Sequence, residues 1–167
     1  MMHTIRICVL VAIGAVLASC STTSERGPAE LRDQRPSDFT LGVVVFGDPG
    51  ADSVEMRSAR YIIEPDGALR ASFGEGSDGN TYPPMTRRLE GSTLDALWAQ
   101  VRSMDLGGDN WRSVQAPEQH HVGLGSSRGY LIEIRSGVEF NAWSTGVDSQ
   151  AMRSLTRELA SLAWVND

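Results

Sequence analysis

The chain has 167 residues, 41% of them hydrophobic and 22% charged, with 21 acids against 15 bases for a formal charge of −6. That length suits one domain with a sizeable core, and the acidic balance makes nucleic acid and anionic lipid headgroups poor partners for most of the surface. All 15 basic residues are arginine, which excludes Schiff-base chemistry, a pyridoxal-phosphate site and a lysine-bearing phosphate loop.

Residues 1–19 have the three parts of a secretory signal: a short start carrying Arg6, an apolar run from Ile7 to Val16, and small residues before a cut. The run is shorter than the roughly 20 apolar residues of a membrane span, and polar Ser21-Thr22-Thr23-Ser24 follows at once. Leu17-Ala18-Ser19-Cys20 resembles the bacterial lipobox. The resemblance implies cleavage before Cys20, lipid attachment to Cys20, and a membrane as the protein's first partner. Ser21 resembles the residue that follows the cysteine in lipoproteins sent to the outer membrane, facing the periplasm, of double-membraned cells. Two or three acyl chains on one residue anchor a protein stably, where one chain binds marginally. Cys8 would leave with the signal, so the mature domain has no thiol nucleophile, intramolecular disulfide or cysteine metal site. Its charge becomes −7, from 14 arginines against 21 acids. Residues 20–38 are rich in Ser, Thr, Arg, Asp and Pro and read as a lipid-anchored tether, leaving residues 39–167 as a single folded domain.

Within that domain, Leu41-Gly42-Val43-Val44-Val45-Phe46 reads as a first strand. A hairpin follows. Glu64-Pro65-Asp66-Gly67 supplies turn chemistry, and a three-residue loop from Pro65 to Gly67 sets Ile63 opposite Leu69, Tyr61 opposite Ala71 and Ala59 opposite Phe73, with all six on one face. Met85–Leu89 reads as another strand. Leu94, Leu97, Trp98, Val101 and Met104 recur at helical spacing behind Ser92, which approximates a capping box with Asp95. His120–Leu124 is a further strand candidate. A second hairpin, with Arg135-Ser136-Gly137 as its loop, pairs Ile134 with Val138, Ile132 with Phe140 and Tyr130 with Ala142, which turns Trp143 and Leu131 to the opposite face. Met152, Leu155, Leu159 and Leu162 mark a last helix capped by Asp148 or Ser149. The expected class is α+β, an antiparallel sheet of five or six strands with two helices packed on one face, in the order hairpin, helix, hairpin, helix. That order is similar to small bacterial protease-inhibitor domains such as emfourin, a likeness of pattern that carries over no site residue.

Chemistry-bearing groups are sparse. His120 and His121 are the only histidines outside the signal, and on a strand they would point to opposite faces, so they cannot chelate one ion together. They read as one surface and one half-buried histidine, and they are the candidates if the domain is a hydrolase. No Gly-x-Ser-x-Gly elbow accompanies Ser126 or Ser127, and Gly123–Gly129 lies between strand patterns instead of opening a helix as a phosphate loop would. Asp78 and Asn80 give a faint calcium-loop pattern without its other ligands. No metal or cofactor is expected. Trp111 and Trp143, with Tyr82-Pro83-Pro84, are types found at binding hot spots, although Trp143 under a loop and Trp111 plugging the sheet edge is an equally good account. The sequence therefore reads as a lipid-anchored envelope protein, a binding or accessory module with an envelope partner. Its alternatives are a small envelope hydrolase using His120 or His121 and a purely structural lipoprotein.

Overall fold

The valine run that opens the domain takes the most protected place in the sheet. The computed structural model describes residues 31–53, 56–114 and 128–163. In chain order the elements are β1 (Thr40–Phe46), β2 (Ala59–Ile63), β3 (Ala68–Phe73), β4 (Met85–Arg88), α1 (Gly91–Arg102), β5 (Arg112–Ser113), β6 (Gly129–Ser136), β7 (Glu139–Thr145) and α2 (Gln150–Leu162). The strands form one antiparallel sheet in the order β4-β3-β2-β1-β6-β7-β5. Lying fourth of the seven, β1 is paired along both edges, and Val43, Val44 and Val45 are at most 2% exposed. The α+β class and antiparallel sheet match the sequence reading, with seven strands in place of five or six. One of them, β5, has two residues and is too short to leave a periodic signal. The strand expected at His120–Leu124 lies outside the described residues.

Alternation sorts the sheet into two faces. Leu41, Val43, Val45, Tyr61, Ile63, Tyr130 and Ile132 belong to one buried cluster with Leu97, Trp98 and Val101 of α1 and Met152, Leu155 and Leu159 of α2. A smaller cluster, Val44, Leu131, Ala142 and Val114, occupies part of the opposite face. The first hairpin has the expected register, Ile63 opposite Leu69 and Ala59 opposite Phe73. Gly67 takes φ +84° there while its N–H donates to the Glu64 carbonyl at 2.9 Å, a conformation that glycine adopts without penalty. The helix caps divide. Ser149 accepts the Met152 N–H at 3.2 Å as expected, whereas α1 starts one residue earlier than Ser92, after an extended Glu90 that makes no side-chain cap bond.

The second hairpin corrects the sequence reading. Its turn is two residues, Gly137-Val138, with Ser136 opposite Glu139, Arg135 opposite Phe140 and Ile132 opposite Trp143. Gly137 at φ +57° fits the first central position of a type II′ turn, whose twist suits antiparallel strands. The shift is an odd number of residues, so it exchanges the faces of β7. Trp143 enters the main core at 4% exposure, Phe140 and Ala142 turn to the opposite face, and Val138 is left fully exposed at the tip. Burying an indole at the cost of exposing one valine is the better exchange, because apolar stabilisation scales with area.

Residues 31–38, read from sequence as the end of the tether, are tied to the domain: Arg32, Asp33 and Arg35 bond to α1, and Asp38 accepts the Ser136 hydroxyl at 2.8 Å. The Trp98 indole N–H donates to the Arg32 carbonyl at 3.1 Å, Arg102 pairs with Asp33 at 2.5 Å, and Arg35 pairs with Asp95 at 2.8 Å. Residues 20–30 lie outside the described residues. The observed register predicts that Trp143→Ala loses about 3–5 kcal/mol and Val138→Ala less than about 0.5 kcal/mol in urea unfolding. A small loss at Trp143 would restore the three-residue loop.

Candidate binding groove

On the face opposite the main core, three inner strands carry the floor of a cavity of about 730 Å³. Thr40 and Gly42 come from β1, Arg60 and Ile62 from β2, and Glu133 and Arg135 from β6; Phe140 of β7 closes one side, and the β2–β3 turn and Tyr82 close the other. Arg60 and Glu133 sit on strands that flank β1, and their side chains meet across it with Nη2 and Oε2 2.5 Å apart. Both are well covered, with side chains 8% and 12% exposed. Gly42 makes this possible. A Cβ there would lie 2.5 Å from Glu133 Oε2 and 3.2 Å from Arg60 Nη1, so the ion pair occupies the space a side chain would have filled. Arg60 Nε and Nη1 have no hydrogen-bond partner.

Each wall couples an aromatic ring to an arginine. On the β2 side, the Arg70 guanidinium carbon stands 4.5 Å from the Tyr82 ring centroid. The Tyr82 hydroxyl donates a short hydrogen bond to Glu64, and Arg70 Nη1 donates to the Pro83 carbonyl at 3.3 Å. Arg70 Nε is 3.1 Å from Glu64 Oε1, an ion pair whose angle is too poor for a hydrogen bond. Glu64 is held below its ordinary range chiefly by the Tyr82 hydroxyl, against a smaller opposing push from burial and with help from Arg70. The same bond raises Tyr82. On the β7 side, Arg135 stands 5.2 Å from the Phe140 ring centroid.

A second polar cluster lies where β6 begins and α2 starts. The Tyr130 hydroxyl donates to Asp148 Oδ1 at 2.5 Å, Arg153 Nη1 donates to Asp148 Oδ2 at 3.0 Å, and Arg128 is 3.7 Å from Asp148. Burial raises Tyr130, and the bond to Asp148 raises it further. For Asp148, burial pushes upward and is outweighed by Tyr130, Arg153 and Arg128, leaving it low. This cluster joins the start of α2 to the sheet.

The residues singled out from sequence fall elsewhere. Trp143 is in the core, so the outward surface expected for it does not form. Trp111 is half-buried against that core, beside the short strand β5. Asp78 accepts the N–H of Asn80 at 2.8 Å within its own loop, and no group of three or more potential metal ligands occurs among the described residues. Cys20, His120 and His121 lie outside the described residues. The groove was missed because Arg60 and Glu133 read as the outward half of an alternating pattern. The one available signal was Gly42, which interrupts a β-branched strand where a close approach is required.

Neither a protein-family model nor a curated protein matches the chain. Among solved structures it is similar to an SsgA-like sporulation-specific cell division protein from Thermobifida fusca, at 16% identity over 74% of this chain and 78% of that one. Their TM-score is 0.17, too low to carry an argument about fold or role.

Breaking the floor pair on one side should be costly: Arg60→Leu is expected to lose about 3–5 kcal/mol by leaving a covered charge alone. Adding Glu133→Leu should recover most of that loss, and chemical denaturation of both variants measures the coupling. Glu64 gives a pH dependence. Because its folded value is depressed, its stabilisation is complete above the ordinary value of 4.5 and disappears as pH falls through the lower folded value. Tyr82 ring resonances should shift over that acid range, and the shift should vanish in Glu64→Gln.

Proposed function

We propose that the protein is an envelope lipoprotein acting as a binding module. Cys20 holds it to the membrane, both helices cover the sheet face that carries Tyr61 and Trp143, and the opposite face presents the groove. In a double-membraned cell the site of action is the outer membrane, facing the periplasm. The observation that carries the reading is the covered Arg60–Glu133 pair on the floor of an open cavity. Buried ion pairs commonly stabilise no better than apolar residues of the same volume, so a charged floor between two aromatic walls suits recognition better than it suits packing. The described lining contains no histidine, cysteine or serine, and the Tyr82 hydroxyl is already bonded to Glu64. Thr40 is the remaining lining hydroxyl, and the lining carboxylates Glu133, Glu64 and Asp66 are each paired with an arginine, which favours binding over hydrolysis.

The test is photo-crosslinking of the tagged, full-length chain in its native membrane, with a photoreactive phenylalanine analogue at position 82. A photoreactive group is needed because the chain has no lysine for amine-directed reagents. One defined adduct, lost in Phe140→Ala, is the expected result. In parallel, Cys20→Ala should abolish incorporation of labelled palmitate. Adducts confined to abundant neighbours would reject the binding role, and palmitate labelling that survives Cys20→Ala would reject the anchor.

A further inference from the structure

The charges around the groove do not cancel. Glu133 is held by Arg60, Glu64 by Arg70 and Asp66 by Arg88, the last pair at 2.7 Å. Arg135 is left over. Its side chain is exposed, it lines the cavity beside Phe140, and it has no carboxylate partner among the described residues. The lining itself holds three acids, Glu64, Asp66 and Glu133, against Arg60 and Arg135; with Arg70 and Arg88 pairing two of those acids from outside it, Arg135 is the guanidinium of this set without a carboxylate. A second guanidinium supports it, since Arg60 lines the floor with Nε and Nη1 lacking acceptors, and covered polar groups in native structures normally find a partner.

The backbone restricts the occupant as much as the charge does. Between β2 and β6, β1 is paired along both edges, so the floor has no free strand edge for an extended peptide to join, and recognition runs through side chains. The cavity, about 730 Å³, falls within the roughly 300–1,000 Å³ of small-ligand sites. We propose that the groove binds a small carboxylate with a flat apolar body, the carboxylate on Arg135 and the body along the floor beside Phe140. A guanidinium fork matches a carboxylate with two parallel hydrogen bonds, which an ammonium cannot do. This inference rests on the groove being the binding surface and names the chemistry it takes.

The experiment is calorimetric titration of the full-length chain in detergent micelles with phenylacetate, indole-3-acetate and N-acetylphenylalanine, each beside its uncharged amide. At least one acid should bind one to one and about tenfold or more tightly than its amide, the scale of a charge-assisted contact. Arg135→Gln should erase that preference with an unchanged thermal melt, Arg135→Lys should keep part of it, and Arg153→Gln, outside the groove, should leave it intact. Equal affinity for acid and amide, or a preference that survives Arg135→Gln, would overturn the carboxylate assignment while leaving the groove a binding surface. Failure of every probe would also overturn it, and the photo-crosslink at position 82 then judges the groove independently. Self-association abolished by Tyr82→Ala in sedimentation equilibrium would assign the groove to a second copy and overturn the proposal.

Discussion

Two charged side chains from strands far apart in sequence meet over a residue that has no side chain, and the centre of the sheet is built around that meeting. Arg60 and Glu133 flank β1, and their contact fits only because position 42 is glycine. The arrangement fixes register as well as charge. A one-residue slip of β2 or β6 would carry an arginine or a glutamate into the apolar cluster on the other face, and a two-residue slip would part the pair from Gly42. Stability is a separate matter, since the desolvation of two ions offsets much of their attraction. The pair specifies where the strands sit and leaves polar groups on the floor of the groove.

The walls repeat one device with different residues. Arg70 on Tyr82 and Arg135 on Phe140 each set a guanidinium against a ring, a contact of about 0.5–1 kcal/mol at an exposed site. Their surroundings differ. Arg70 is engaged by Glu64 and the Pro83 carbonyl and helps hold Tyr82 in place. Arg135 has the ring and, among the described residues, no carboxylate. One wall is braced and the other carries unspent charge, which gives the groove a direction. Arginine suits both positions because its plane stacks on a ring and its charge persists at any physiological pH.

Local physics was legible in the sequence wherever one choice excluded the others. The first hairpin could be placed residue by residue because a slip would have exposed Tyr61, Ile63 and Leu69 together. The second was misread because Ile134-Arg135-Ser136-Gly137-Val138 supports two turns, and the deciding term was the long-range burial of Trp143 in the main core cluster. Similarly, the tether composition of residues 31–38 concealed their contacts with α1, which depend on Trp98, some 60 residues away. The groove was hidden for the same reason. Its members lie on four strands and two connections, and only the sheet order β2-β1-β6 brings Arg60 to Glu133.

The docking of residues 31–38 on the domain also sets a length. With Leu31 already packed against the domain, at most the ten residues 21–30 separate the Cys20 anchor we propose from the folded body, a reach of no more than about 35 Å. A free tether up to Phe39 would have reached almost twice as far. If Cys20 carries the lipid we propose, a domain held this way would patrol a shallow layer beside the bilayer and meet what diffuses along that surface, while anything fixed deeper in the compartment would stay out of range.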